Sequence, residues 1–295
     1  LLTTNMTKRS KCNVYFEKYT NADFIAALAA NDSTNFASVD PDSNIRYIGA
    51  TPSNYVYFNC SDYSNQSDST CEKWRIIGVF NNVTKSDGTK ENLVKIIRDE
   101  RIGEYPWDYT SSGSYLNDWS NGTLQKLLNS GAYYNGTTGT WYNGITDISV
   151  DFTSTGLKND TTRNAIESVV WNLGGTASYN SSSNGLASHW YGYERGTTVY
   201  SGRPTTWTGK IGLMYPSDYG YATAGGSTTN RSTCLSTTMY SWDSSAYSDC
   251  KGNDYLYKSS YVQFTLVPHS GDADAVFGVG SDGYVDYYYA YAAHG

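Results

Sequence analysis

Proline occurs six times in 295 residues, methionine three times and histidine three times, and charged side chains make up only 17%. Each shortage excludes something. His189, His269 and His294 sit in unrelated contexts with no H-x-x-x-H spacing, so no zinc cluster is legible. Ala, Leu, Glu and Lys do not dominate, which argues against a coiled coil or helical bundle. Disordered chains are poor in aromatics and rich in charge or proline; this one is 15% aromatic. Lys and Arg number 21 against 28 Asp and Glu, a net charge of −7. Nucleic-acid binding needs a basic face, so nucleic acid is not an expected partner. The longest apolar stretch, Phe24 to Ala30, is far too short to span a bilayer.

What fills the space is polar and aromatic. The chain holds 36 Ser, 32 Thr, 24 Asn, 28 Gly and 29 Tyr, about half of all residues. Of the five cysteines, Cys60 and Cys71 bracket a Ser/Asn/Asp run, and Cys234 and Cys250 a Ser/Thr/Tyr run. Each pair reads as a disulfide clipping a surface loop, since no C-x-x-C spacing supports a metal. Cys12 is left over. Ten N-x-S/T sequons occur, at Asn5, Asn31, Asn59, Asn65, Asn82, Asn121, Asn135, Asn159, Asn180 and Asn230. In a chain this rich in Ser and Thr the excess over chance is modest; polar loop composition is the first reading of it and a glycosylated surface protein the second.

Apolar spacing predicts helix over 13–30, over 120–129 with Ser120 as N-cap, and over 161–172 with Asp160 or Thr161 as cap. In the last, Ile166, Val169, Val170 and Trp171 would face inward and Gly174-Gly175 would stop it. Short apolar or alternating runs at 45–48, 55–58, 74–80, 92–98, 207–214, 261–267, 275–279 and 284–289 predict antiparallel strands. Lys85-Ser86-Asp87-Gly88 predicts a hairpin turn. Residues 176–260 otherwise read as loop. The expected architecture is α+β, with short strands, two or three helices and long ordered loops. Residues 1–40 form a helical lead-in and linker, and 41–295 one domain. A chain opening on Leu-Leu-Thr-Thr is expected to have lost an upstream signal peptide or anchor.

Chemistry is scarce. There is no phosphate-cradling Gly loop and no G-x-S-x-G elbow. Asp40, Asp42 and Asn44 mimic the start of a calcium loop, but Ile45 replaces its glycine and Thr51 its closing glutamate. Asp99, Glu100 and Glu104 read as a solvated turn. No catalytic residues, cofactor or metal are expected.

The C-terminal segment carries the strongest signal. From His269 to Gly295 the chain uses only His, Ser, Gly, Asp, Ala, Val, Phe and Tyr. Every one can be encoded by a codon ending in C with the first two bases free, which is what randomising the adenines of Asn-type codons yields. A Tyr-rich surface is a natural binding surface, because Tyr offers stiff amphipathic contact area at low entropy cost.

Segments 45–59 (IRYIGATPSNYVYFN), 74–80 (WRIIGVF), 93–108, 117–129, 183–195, 207–226 and 264–295 resemble uncharacterised extracellular proteins common in gut Firmicutes. The layout is also similar to the C-type lectin fold of the formylglycine-generating-enzyme type, which variable proteins of diversity-generating retroelements use. That resemblance implies a randomised C-terminal segment on a constant scaffold. Val276, Phe277, Val279, Gly283, Val285 and Ala290 would be scaffold. His269, Asp272, Asp274, Tyr284, Asp286, Tyr287, Tyr288, Tyr289, Tyr291, Ala292, Ala293 and His294 would be variable, exposed and ligand-binding. The formylglycine enzyme's copper chemistry is not carried over, since the cysteines here sit in loop-like contexts.

The expected function is an extracellular or cell-surface adhesin or receptor that binds a protein or glycan on another cell or phage. Any membrane or filament anchoring would run through a segment N-terminal to this one. Two rivals stand beside it: a pilin-like or surface-layer subunit, motivated by the helical 13–30 region, and a glycan-active enzyme, for which no acid and base are visible.

Overall fold

A computed structural model describes residues 20–110, 112, 115–142 and 146–294. Cys12, Asn5 and the first part of the predicted 13–30 helix lie outside them. The first described element, α1 (Asn21–Ala29), starts where Thr20 accepts the Asp23 N–H at 3.2 Å and donates its own N–H to the Asp23 carboxylate at 2.8 Å, a capping box. Ala22 and Ile25 are buried. β1 (Phe36–Ala37) pairs with β2 (Ile45–Tyr47), so the stretch from residue 20 is tied into the same core as the rest.

The long strand β4 (Glu72–Thr84) organises the first half. Along one side it pairs with β2 and, further along, with β3 (Tyr55–Phe58); along the other it pairs with β5 (Lys90–Arg98). Gly78 permits the β2 contact, since a Cβ there would lie 2.0 Å from the Ile45 carbonyl oxygen. The predicted turn joins β4 to β5, with Gly88 at φ +83°. β6 (Tyr105–Pro106), α2 (Thr123–Asn129), α3 (Ala132–Asn135), the hairpin β7 (Thr138–Tyr142) and β8 (Asp147–Asp151), and α4 (Asp160–Ala165) follow. Next come β9 (Val169–Asn172), α5 (Ala187–Glu194), β10 (Thr206–Gly209), α6 (Pro216–Ala222), α7 (Arg231–Leu235) and α8 (Ser248–Gly252). The chain closes with β11 (Gln263–Pro268), β12 (Ala275–Val279), β13 (Val285–Tyr289) and β14 (Ala293–His294). β11, β12 and β13 form a meander, and β14 pairs back onto β6.

The fold is α+β, with mostly short antiparallel strands and short helices packed on a tryptophan-rich core. Trp107, Trp119, Trp190 and Trp242 are fully buried beside Phe277 and Leu266. No helix among the described residues is long and apolar enough to cross a membrane.

Four expectations are corrected. The helix predicted over 161–172 stops at Ala165, and 169–172 is strand β9, paired with β10 from Val169↔Gly209 to Asn172↔Thr206. A β-branched and aromatic run, Val169-Val170-Trp171, favours the pleated sheet once a partner strand is present. Gly174 and Gly175 therefore stop no helix. They let backbones meet: a Cβ on Gly174 would lie 2.2 Å from the Tyr193 carbonyl oxygen, and on Gly175 2.0 Å from that of Pro268. The α2 N-cap is Gly122 rather than Ser120, whose hydroxyl instead donates to Asp118 at 2.6 Å. The supposed loop at 176–260 carries α5 to α8.

Both predicted disulfides are present, Cys60–Cys71 and Cys234–Cys250. The second is more than a surface clip. Its sulfurs join α7 to α8, and both cysteines are fully buried in the main core. Several sequon asparagines are structural. Asn59 is fully buried and donates to Glu72 and to the Gly156 carbonyl. Asn159 and Asn230 cap α4 and α7.

Candidate functional site

Strand period and turn chemistry divide the C-terminal segment. Val276, Phe277, Val279, Val285 and Ala290 are fully buried. Gly283 closes the β12–β13 turn at φ +93°, where side chains are disfavoured, and its carbonyl accepts the buried Tyr219 hydroxyl at 2.8 Å. All six positions read as scaffold are thus interior.

Three tyrosines among and just after them point outward. Tyr287, Tyr289 and Tyr291 are 41%, 44% and 39% exposed. Alternation along β13 turns Tyr287 and Tyr289 the same way, with ring centroids 6.3 Å apart. Tyr289 stacks on Tyr291 at 5.3 Å with 13° between planes. The contacts continue in both directions. Tyr291 meets Tyr115 at 4.6 Å, Tyr115 meets Tyr109 at 5.5 Å, and Tyr109 meets Tyr142 at 5.4 Å. On the other side Tyr287 meets Tyr179 at 6.4 Å, Tyr179 meets Tyr240 at 5.9 Å, and Tyr240 meets Tyr284 at 6.0 Å. These nine tyrosines form one connected ribbon in which only Tyr284, Tyr287, Tyr289 and Tyr291 belong to the C-terminal segment.

His269 packs beside the ribbon, 5.5 Å from both Phe277 and Tyr287. Burial lowers its pKa against the pull of Asp272 and Asp286. Asp286 accepts the Tyr179 hydroxyl at 2.6 Å and the Tyr287 N–H at 2.8 Å. Asp272 and Asp274 act as a pair. Their shared hydrogen bond, then burial, pushes the Asp274 carboxyl up to about 6, and the same bond holds Asp272 below the usual range.

Tyr288, Ala292, Ala293 and His294 do not join the exposed ribbon. Alternation turns Tyr288 inward against His294, at 5.1 Å, and over Gly278. Burial and a hydrogen bond with Tyr284 raise its pKa. His294 sits on Phe264 at 4.8 Å, and Ala293 and His294 pair with Pro106 and Tyr105. Ala292 N–H donates to the Tyr289 carbonyl at 3.0 Å, closing the turn that presents Tyr291.

Sequence reasoning missed two groups. Tyr109, Tyr115, Tyr142, Tyr179 and Tyr240 come from distant loops, and among 29 tyrosines nothing in the sequence singles them out. Asn117, 2% exposed, holds the 269–275 loop by donating its side-chain amide to the carbonyls of His269, Asp272 and Ala275 at 2.8–3.0 Å. Arg203 braces Asn117 in turn at 3.2 Å. Among the described residues no group of His, Cys, Asp and Glu could hold a metal ion.

No family model matches the chain, and neither a curated protein nor a solved structure does.

Proposed function

We propose that this protein is an extracellular ligand-binding protein that displays a diversified, Tyr-rich C-terminal site on a C-type-lectin-like scaffold. One observation carries the reading. Within a segment of restricted residue alphabet, the positions that resemblance assigns to scaffold are buried, while Tyr287, Tyr289 and Tyr291 stand exposed and in contact. Stiff aromatic side chains with a polar tip, held on a rigid sheet, suit protein-sized ligands. Two disulfides support an oxidising, extracellular setting. The site acts by stacking and hydrogen bonding, with Asp272, Asp274 and Asp286 adding polarity.

Sequencing the 3′ end of the gene and its flanking DNA across many cells of the source population tests the reading. The expected result is substitution at the codons of exposed positions, silence at those for 276, 277, 279, 283, 285 and 290, and a template repeat beside a reverse transcriptase. A uniform 3′ end without a template would overturn the diversified site.

A further inference from the structure

The tyrosine ribbon ends in a cleft of about 400 Å³, lined by Tyr240, Ser241, Asp243, Ser244, Asp282, Tyr284 and Asp286. Its lining holds three carboxylates and two aromatic rings and no Lys or Arg. The Lys251 ammonium, bound to the backbone carbonyls of Asp243 and Asp282, sets one positive charge against the three carboxylates and leaves the cleft net negative. Tyr240 and Tyr284 meet edge to face at an interplanar angle of 78° and wall one side.

A cleft with this lining selects a cation. The three carboxylates belong to no cluster that could share a metal ion, so a compact ion does not meet them together. A planar guanidinium suits spread acceptors better, because its five donors fan outward and its face stacks on tyrosine. An ammonium satisfies the charge but not the spread. We propose that this cleft takes an arginine side chain of a protein partner, which anchors that partner while the rest of its surface lies along the tyrosine ribbon. The inference rests on the binding reading above and narrows it to a protein ligand. Continuity argues for one surface: Tyr240 and Tyr284 belong to both cleft and ribbon, and Asp286 lines the cleft while holding Tyr179 of the ribbon.

The test is an NMR titration of the full chain with N-acetyl-arginine N-methylamide, its neutral citrulline counterpart, the lysine counterpart and a panel of methyl glycosides. Arginine is expected to give saturable shifts confined to residues 240–244 and 282–286, with an affinity on the order of millimolar for so small a fragment. Lysine should bind more weakly and citrulline not at all. Asp243→Asn and Asp286→Asn should each weaken arginine about tenfold. Val39→Ala, an exposed position outside both cleft and ribbon, should leave it unchanged. Absent shifts with arginine, equal shifts with citrulline, or shifts produced only by a glycoside would each overturn the proposal. The two readings fail separately. Tyr287→Ala and Tyr289→Ala losing a ligand selected against the whole chain, with no arginine response, would leave the ribbon standing without its anchor; arginine binding with a ribbon indifferent to both variants would do the converse.

Discussion

Two polar regions of this molecule are built in opposite ways. Around Arg46, buried charges are paired with one another. Its guanidinium meets Asp40 at 2.9 Å and Asp218 at 2.7 Å, Lys95 also pairs with Asp218, and Phe80 lies 4.5 Å from the guanidinium carbon. Burial pushes the Asp218 carboxyl up, but Lys95 and Arg46 outweigh it and hold its pKa below the ordinary value. In the tyrosine ribbon, Tyr287, Tyr289 and Tyr291 are left at the surface on and just beyond β13, next to the sealed Val285 and Ala290. The first arrangement fixes β2, β5 and α6 relative to one another. The second leaves aromatic surface uncovered. Burial and exposure are thus assigned to different residues, even within β13, where Val285 is buried and Tyr287 is not.

Substitutions should break this contrast in a definite order. Asp218→Ala strands two buried cations and should cost about 3–5 kcal/mol in denaturant unfolding. Phe277→Ala, which empties the space under His269 and Tyr179, should cost a similar ~3–5 kcal/mol. The Cys234→Ala, Cys250→Ala double variant should cost about 3 kcal/mol for a loop of this length. Tyr289→Ala should change stability by under about 0.5 kcal/mol yet cost about 2 kcal/mol or more in affinity for a bound ligand. Equal stability losses at Phe277 and Tyr289 would erase the distinction.

The smallest effect concerns pH. Asp274 has a folded pKa of about 6, raised above its unfolded value, so the folded state holds the extra proton. Its stabilising contribution is full below about pH 4 and is lost as pH rises through about 6. The protection factors of the amides at Asp272 to Asp274, taken relative to intrinsic exchange at each pH, should therefore fall across that window, and Asp272→Asn should remove the step. Protection factors independent of pH in the parent chain would contradict the shared hydrogen bond.

Much of this was legible in the residues. Runs such as Tyr55-Val56-Tyr57-Phe58 and Ala275-Val276-Phe277-Gly278-Val279 announce strands because β-branched and aromatic residues cluster between turn formers. The buried scaffold positions followed from a family resemblance. Other features were not legible, for physical reasons. All seven residues of α6 are buried, so no amphipathic stripe marks it as a helix. β9 follows a good helix start and is decided by its pairing with β10, a contact far along the chain. The inward turn of Tyr288 depends on strand alternation and on Gly278 beneath it. The ribbon itself joins tyrosines up to 182 positions apart, from Tyr109 to Tyr291.

The most direct measurement of the central claim is a display library randomised at Tyr240, Tyr284, Asp286, Tyr287, Tyr289 and Tyr291, scored in parallel for protease resistance and for enrichment against a panel of purified proteins. The account predicts that most members stay as protease-resistant as the parent and that specific binders emerge. A library that largely unfolds, or that stays folded and yields no binder while an equal library on another exposed face does, would contradict it.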